Sequence, residues 1–437
     1  MVDWSPIRLG DLVDVKHGYA FKGEYITSEG PGDVLLTPGN FSIGGGFQWG
    51  RRKYYTGSVP EDFVLQQGDL VVTMTDLSKE ADTLGYGAIV PRAETRLLHN
   101  QRIGKVIPRN KRAYLPFLHW VMRSPAYRNH VLAGLSGSTV KHTSPTRLLG
   151  FQFSLPSLTE QQAISSVLGC LDDKIDLNRR TNETLEATAR AIFKDWFVDF
   201  GPTRTKVEGR APYLASDIWT YFPDNLDEDN KPEGWTTSTI GQEVDVVGGS
   251  TPSTKEPRFW GGEIAWATPK DLSSLNTPVL LNTEREITEA GLSQIGSGLL
   301  PVGTVLLSSR APIGYMAIAQ IPVAVNQGFI AMICRKRLSN VFVWLWTQAN
   351  MEAVHQNANG STFQEISKAN FRPIRITVPK SEILCAFNDV AKPLLDRIVS
   401  NDKESRSLAT TRDFLLPKLM SGEVRVKDAE KIVGEAT

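Results

Sequence analysis

The feature that most constrains this chain is a heptad seam that occurs twice in the same register. Alternate steps of four and three from Ile164 give Leu168, Leu171, Ile175, Asn178, Asn182, Leu185, Ala189, Ile192 and Trp196. The same steps from Phe387 give Ala391, Leu394, Ile398, Asn401, Ser405, Leu408, Arg412, Leu415 and Leu419. An a/d pattern sustained this long specifies a coiled coil rather than a helix lying on one globular surface. A helix of about 40 residues is about 60 Å long. Pro393 lies inside the second pattern and is expected to kink or delay that helix, so that its regular part begins near Leu394.

What precedes each seam also repeats. Trp4, Gly10, Asp14, Val15 and Gly18 recur, in the same order and at the same spacing, as Trp235, Gly241, Asp245, Val246 and Gly249. The correspondence continues through Thr37-Pro38 and Thr268-Pro269, through GDLVVTM (68 to 74) and GTVLLSS (303 to 309), and through Asn100 and Asn326. Gly-Ser-Thr at 137 to 139 recurs at 360 to 362, by which point the offset has narrowed to that of the two seams. Such drift is what insertions in surface loops produce on an unchanged scaffold. LVVTM, GAIVP and GKVIP in the first half, and TVLLSS, YMAIA and FIAMIC in the second, read as strands, and each set is followed by a helical stretch.

The fold class is therefore α+β: two similar α/β domains separated by two long helices that form an antiparallel coiled coil, with a pseudo-two-fold internal repeat. The order globule, helix, globule, helix requires the second helix to return along the first, which keeps the globules apart and makes the chain ends neighbours. The expected segments are a first domain over 1–156, a helix over 157–202, an acidic linker over 203–233, a second domain over 234–379, a helix over 380–427 and a tail over 428–437. In an antiparallel pair centred near residues 180 and 403, Asn178 faces Ser405 and Asn182 faces Asn401. These four are either a register lock or a wet stretch of seam.

Composition excludes several classes. The three cysteines, Cys170, Cys334 and Cys385, are far apart and show neither disulfide nor zinc spacing, which points to a reducing cytoplasm. No run approaches a membrane span, and the start of the chain has no apolar signal segment, so no membrane partner is expected. The net charge is zero, yet residues 1–156 hold 18 Lys and Arg against 13 Asp and Glu, while 157–233 hold 9 against 15. A basic bias in the first domain permits a polyanion on one face.

No motif supplies an enzyme. SIGGGFQWG (42 to 50) neither follows a strand nor opens a helix as a cofactor loop does, and VVGGSTPSTK (246 to 255) fails the phosphate-loop spacing. PDNLDEDNK (223 to 231) contains Asp224, Asp229 and Lys231, the residue types of metal-dependent nucleases, but it lies in the acidic connection and reads as a solvated linker. For DNA, the useful side chains are Arg, Lys and Gln on base edges and phosphates. The candidates are Arg51, Arg52, Lys53, Tyr54 and Tyr55 in one expected loop, Lys141 and His142 after the first Gly-Ser-Thr, Lys255 and Arg258 in STKEPRFWGG, Arg310 in SSRAP, and Gln364 after the second Gly-Ser-Thr. For each alone, a solvated surface is the competing reading. Phe193, Trp196, Phe197 and Phe200, at i, i+3, i+4 and i+7, are expected to pack on the second globule.

The stretch from GSTVKHTSPTRLLGF through DWFVDFGPTR, the segment PEGWTTSTIGQEVDVVGGSTPSTK, the strings LSSRAPIGYMAIA and AVNQGF, and the ending LLPKLMSGEVRV closely resemble the DNA specificity subunit of type I restriction-modification enzymes. The resemblance covers nearly the whole chain. It implies two target recognition domains that each read one half of a bipartite asymmetric double-stranded DNA site, with the helices setting the half-site spacing. It implies no catalytic residue, cofactor or metal on this chain. Two modification subunits would supply S-adenosylmethionine-dependent adenine methylation, and two restriction subunits would supply ATP- and Mg-dependent translocation and cleavage. The SSRAPIG string is missing from the first domain. The other classes weighed are a self-contained methyltransferase or nuclease, and a helical scaffold without sequence-specific binding.

Overall fold

The computed structural model describes residues 4–135, 140–360 and 364–436. The chain divides into two compact units, an N-terminal one of Met1–Ile175 with Arg406–Thr437 and a central one of Asp176–Ser405. The Gly-Ser-Thr residues lie outside the described set, except for Gly360.

Each unit is built on the same plan. An antiparallel pair at the base joins Ser5–Arg8 to Gln152–Leu155 in the N-terminal unit and Thr236–Thr239 to Arg375–Val378 in the central unit, with Ser5 opposite Leu155 and Thr236 opposite Val378. The main sheet of the N-terminal unit runs in the order Val13–His17, Ile103–Pro108, Leu70–Thr73, Gly87–Ile89. In the central unit the order is Asp245–Val247, Phe329–Ile333, Val305–Ser309, Ile313–Ala319, Val279–Leu280. Leu70–Thr73 and Val305–Ser309 are buried on both faces, which is why these strands read as continuous apolar runs rather than alternating ones.

A second sheet, five-stranded in the N-terminal unit and three-stranded in the central one, carries an antiparallel strand pair in each unit. Asp33–Leu35 pairs with Tyr54–Tyr55 antiparallel and Leu97–Leu98 parallel. Trp260–Ala267 likewise pairs with Arg285–Ile287 antiparallel and Ala324–Val325 parallel. Two of the shared glycines have one job. A Cβ at Gly18 would fall 2.1 Å from the Asn100 carbonyl oxygen, and one at Gly249 would fall 1.6 Å from that of Val325. Each strand end crosses the opposing backbone too closely for any side chain.

The helical stretches are each two helices. Leu115–Val121 is separated from Pro125–Leu132 by Ser124, whose side chain accepts from the Tyr127 N–H with proline at the first turn. Asn340–Ala349 is followed by Met351–Gln356.

The first long helix runs Leu158–Phe197. It opens with a capping box, in which Glu160 N–H donates to Ser157 Oγ at 3.3 Å and Ser157 N–H donates to Glu160 Oε2 at 3.2 Å. The second runs Ser381–Ser421 without interruption, so the expectation that Pro393 delays it is corrected. Pro393 lies on the exposed face, where a missing backbone hydrogen bond is not a buried loss. Position 394 is corrected in part: Leu394 is only partly buried, and Leu395 carries the seam there.

Two segment boundaries also change. Residues 203–233 are a linker only in part: Gly201–Val207 and Ser216–Tyr221 are helical, Thr203 and Thr205 are buried, and Phe222 packs edge-on against Trp196 at 5.2 Å, while 223–231 form an exposed turn. The expected tail is the helix Val426–Ala436, whose Ala429 and Ile432 join the N-terminal core. Among the described residues, no helix is long and apolar enough to cross a membrane.

Candidate nucleic-acid interface

Basic residues gather beside the second sheet in both units, before the returning strand in the N-terminal unit and before the first strand in the central one. In the N-terminal unit, Arg51, Arg52 and Lys53 are exposed, and the Arg52 guanidinium lies 4.6 Å from the centre of the Trp49 ring. The loop before them is shaped by Asn40, whose amide donates to the Trp49 carbonyl at 2.7 Å. Tyr54 and Tyr55 are not in that loop. They form the strand; Tyr55 is buried against Phe21 at 4.8 Å, which takes it out of reach of a ligand, while Tyr54 is half-buried.

In the central unit, Lys255 and Arg258 are exposed on a loop pinned by two indoles. Trp260 Nε1 donates to the Ser253 carbonyl at 3.1 Å, and Trp266 Nε1 donates to that of Ser250 at 3.3 Å. Arg258 pairs with Glu256 at 3.5 Å and lies over Phe259.

The junctions that precede the long helices return to the main sheet in the same way. Thr143 N–H donates to the Met74 carbonyl at 3.1 Å, and Ile366 N–H donates to that of Ser309 at 3.0 Å. His142 therefore stands opposite Thr75 and Lys141 opposite Asp76. Glu365 stands opposite Arg310, with the side chains 3.6 Å apart. Asp76 is fastened by Thr83 and Ser78; burial raises its pKa, but these hydrogen bonds outweigh it and leave the carboxyl below its ordinary value. The stretch TMTDLSK thus takes the structural place of SSRAPIG. Gln364 is exposed beside Glu365. Arg310 and Gln364 are brought to one junction, and Lys141 and His142 to the other.

The seam differs between the two units. In the central unit, Asn178 Nδ2 donates to Glu404 Oε2 at 2.7 Å and to Ser405 Oγ at 3.3 Å, and Asn401 Nδ2 donates to Asn182 Oδ1 at 2.8 Å. Asn178, Asn182 and Asn401 are all buried, and Glu404 and Ser405 are half-buried. Ile398 is buried, while Leu185 and Ile192 are partly so. Phe193, Trp196 and Phe197 enclose Phe387 and Phe342, with Phe197 4.9 Å from Phe387 and Phe193 5.1 Å from Phe342; Phe200 packs edge-on against Trp235.

In the N-terminal unit, Ile164, Leu168 and Leu171 meet Leu408, Leu415 and Leu419 in one core, with Ile175 partly buried at its edge. Beside them is an ion cluster. Asp172 takes Arg123 on one oxygen and Arg412 on the other, the latter at 2.6 Å. Arg123 also donates to the Gly44 carbonyl at 2.9 Å and stacks on Trp120 at 4.4 Å. Burial pushes the Asp172 carboxyl up, but the two guanidinium groups outweigh it and hold it below the usual range. Sequence reasoning placed Arg412 on the seam but had no signal for Arg123, which comes from a distant element.

Asp224 pairs with Lys206 at 2.9 Å and Asp229 with Lys231 at 3.1 Å, within a surface turn. Among the described residues, no cluster of His, Cys, Asp and Glu has metal-binding geometry.

Two copies of one α/β plan, each with exposed cations and aromatic rings beside its second sheet, are each built onto a stretch of the same two long helices. The model of the type I restriction modification DNA specificity domain matches residues 1–187 and 232–389, and the chain belongs to this family with two copies of its domain. It is similar to the type I restriction enzyme MjaIX specificity subunit of Methanocaldococcus jannaschii, with 38% identity over 36% of this chain and 39% of that subunit. Against the HindI specificity subunit of Haemophilus influenzae the identity is 25% over 62% of this chain and 68% of the relative. The crystal structure of the S subunit of a type I restriction-modification system from M. genitalium has the same fold, with a TM-score of 0.57 at 16% identity and 96% coverage of both chains.

Proposed function

We propose that this chain is the DNA-reading and assembly subunit of a type I restriction-modification complex and has no active site of its own. Each unit reads one half of a bipartite, asymmetric site. The shared helices fix the spacing between the halves and offer the surface on which partner subunits dock. Two modification subunits bring S-adenosylmethionine and methylate adenine; two restriction subunits bring ATP and Mg, and the assembly works in the cytoplasm. The observation that carries this reading is the repeated hairpin. Beside the returning strand of each unit a guanidinium lies over an indole, Arg52 over Trp49 and Arg285 over Trp260, while the cations around them differ in number and kind, as two different half-sites require.

Mapping methylated adenines after co-expression with a modification subunit tests it. One bipartite motif is expected, with one adenine modified in each half. Inserting one heptad into both helices should lengthen the spacer by about 3 base pairs, since seven residues add about 10 Å. Methylation without a defined motif would remove the reading role, and an unchanged spacer would remove the ruler.

A further inference from the structure

Arg285 belongs to none of the sequence-derived candidates, yet the fold gives it the most constrained guanidinium of the central hairpin. It opens the strand Arg285–Ile287, opposite Trp266 in the register. Its guanidinium lies 3.6 Å from the centre of the Trp260 ring and 5.5 Å from that of Trp266, and the two indoles meet edge-to-face at 5.0 Å. Trp266 is buried, Arg285 is exposed, and Arg285 makes no ion pair among the described residues. The neighbouring acids do not neutralise it: Glu284 is held by Lys270 at 2.8 Å, and Glu286 lies on the opposite face by strand alternation.

The equivalent place in the N-terminal unit is Lys53, whose carbonyl accepts from Leu35 N–H at 2.8 Å just as the register sets Arg285 against Trp266. Both units thus put a cation where the returning strand begins, Lys53 one residue before it and Arg285 at its first position. Only the central unit flattens it on tryptophan.

An exposed, unpaired guanidinium held at a fixed tilt has already lost the side-chain freedom that recognition would otherwise cost. Its planar fork matches the O6 and N7 acceptors of guanine in the major groove, whereas a phosphate contact needs no such bracing. We propose that Arg285 is a base-reading residue of the central unit and selects a guanine in the half-site that this unit recognises. The proposal rests on the reading of the central unit as a half-site reader.

The test is selection of bound duplexes from a randomised DNA pool by the full-length chain co-expressed with its modification subunit, for the wild type, Arg285→Ala and Arg285→Lys. At one position of the central unit's half-site, the preference for guanine should fall roughly 10-fold or more in Arg285→Ala, with the other half-site unchanged. Arg285→Lys should regain overall affinity but only part of that preference, because an ammonium on a flexible stem has no planar fork. A second variant, Trp260→Ala, keeps the arginine and removes its brace; it should relax the same position. A uniform loss of affinity with the motif intact makes Arg285 a phosphate contact, and an unchanged motif at unchanged affinity takes it out of the interface; either result overturns the proposal. A wild type that selects no motif refutes the half-site reading itself, and the assignment of Arg285 with it.

Discussion

The two units solve one joint in opposite ways. Where the seam meets the globule in the N-terminal unit, Asp172 and Arg412 form a partly buried ion cluster with Arg123. At the repeat-equivalent positions of the central unit stand Leu395 and Ala189, both buried, beside the cluster of Phe193, Phe197, Phe342 and Phe387. The apolar joint is held by buried area alone, so it tolerates small shifts. The ionic joint is directional: its arginine also holds the Gly44 carbonyl, so the helix pair is tied to the glycine loop that leads to Arg51 and Arg52. A shared plan therefore does not imply identical mechanical coupling between helix and reading loop.

The largest expected effect breaks that contrast. Asp172→Ala leaves Arg123 buried without its counter-ion and should cost the N-terminal unit about 3–5 kcal/mol, read as faster hydrogen exchange and a lower unfolding transition for that unit. The triple change Asp172→Leu, Arg123→Met and Arg412→Ala should recover most of the loss by making the joint apolar. A single variant as stable as the wild type would show that the cluster holds nothing.

Acid separates the units next. Burial in the N-terminal unit pulls the imidazole of His99 down to about 4 and that of His119 to about 3, so both are neutral when folded. The unfolded chain takes up their protons near pH 6.5, so stability present above that pH is lost as the pH falls towards the folded values. Between pH 7 and pH 5 the loss should be roughly 2 kcal/mol for each histidine. The central unit contains one histidine, His355, which is exposed. Denaturation at pH 5 should therefore weaken the N-terminal unit selectively, and His119→Gln should reduce the difference. Asp172 works in a lower window, because its depressed carboxyl gives up its contribution only below about pH 4.

The smallest effect sharpens the comparison of the hairpins. Arg51→Ala with Arg52→Ala should weaken binding to any duplex and lower the slope of log affinity against log salt by about 1–2, with the selected motif preserved. That pattern differs in kind from the one expected of Arg285. If the double variant relaxed base choice instead, the two hairpins would be working alike.

Much of the architecture was legible because it is periodic or repeated. The a/d steps located both long helices, and the antiparallel centring set Asn178 against Ser405 and Asn182 against Asn401. Pro393 misled, because a proline's effect depends on which face of the helix it occupies, and that face is set by packing. Tyr54 and Tyr55 looked like an exposed aromatic cluster, but two residues are too few for alternation to declare a strand, and the register with Asp33 and Val34 is long-range. Arg285 was within reach. It follows Pro269 at nearly the spacing at which Lys53 follows Pro38, but its stacking partners, Trp260 and Trp266, come from a strand that sequence could not place beside it. The Arg123–Asp172 pair gave no signal at all, because nothing local couples a turn after a short helix to a position on a long one.

The division of the chain has a consequence for its synthesis. The central unit is one continuous stretch, 176–405, whereas the N-terminal core needs Leu408, Leu415 and Leu419 from the far end. On a ribosome, where chains emerge at about 5–20 residues per second, the unit translated first is completed last. While the whole central unit is being added, the first unit's half of the seam, Ile164 to Leu171, must wait with an apolar face uncovered.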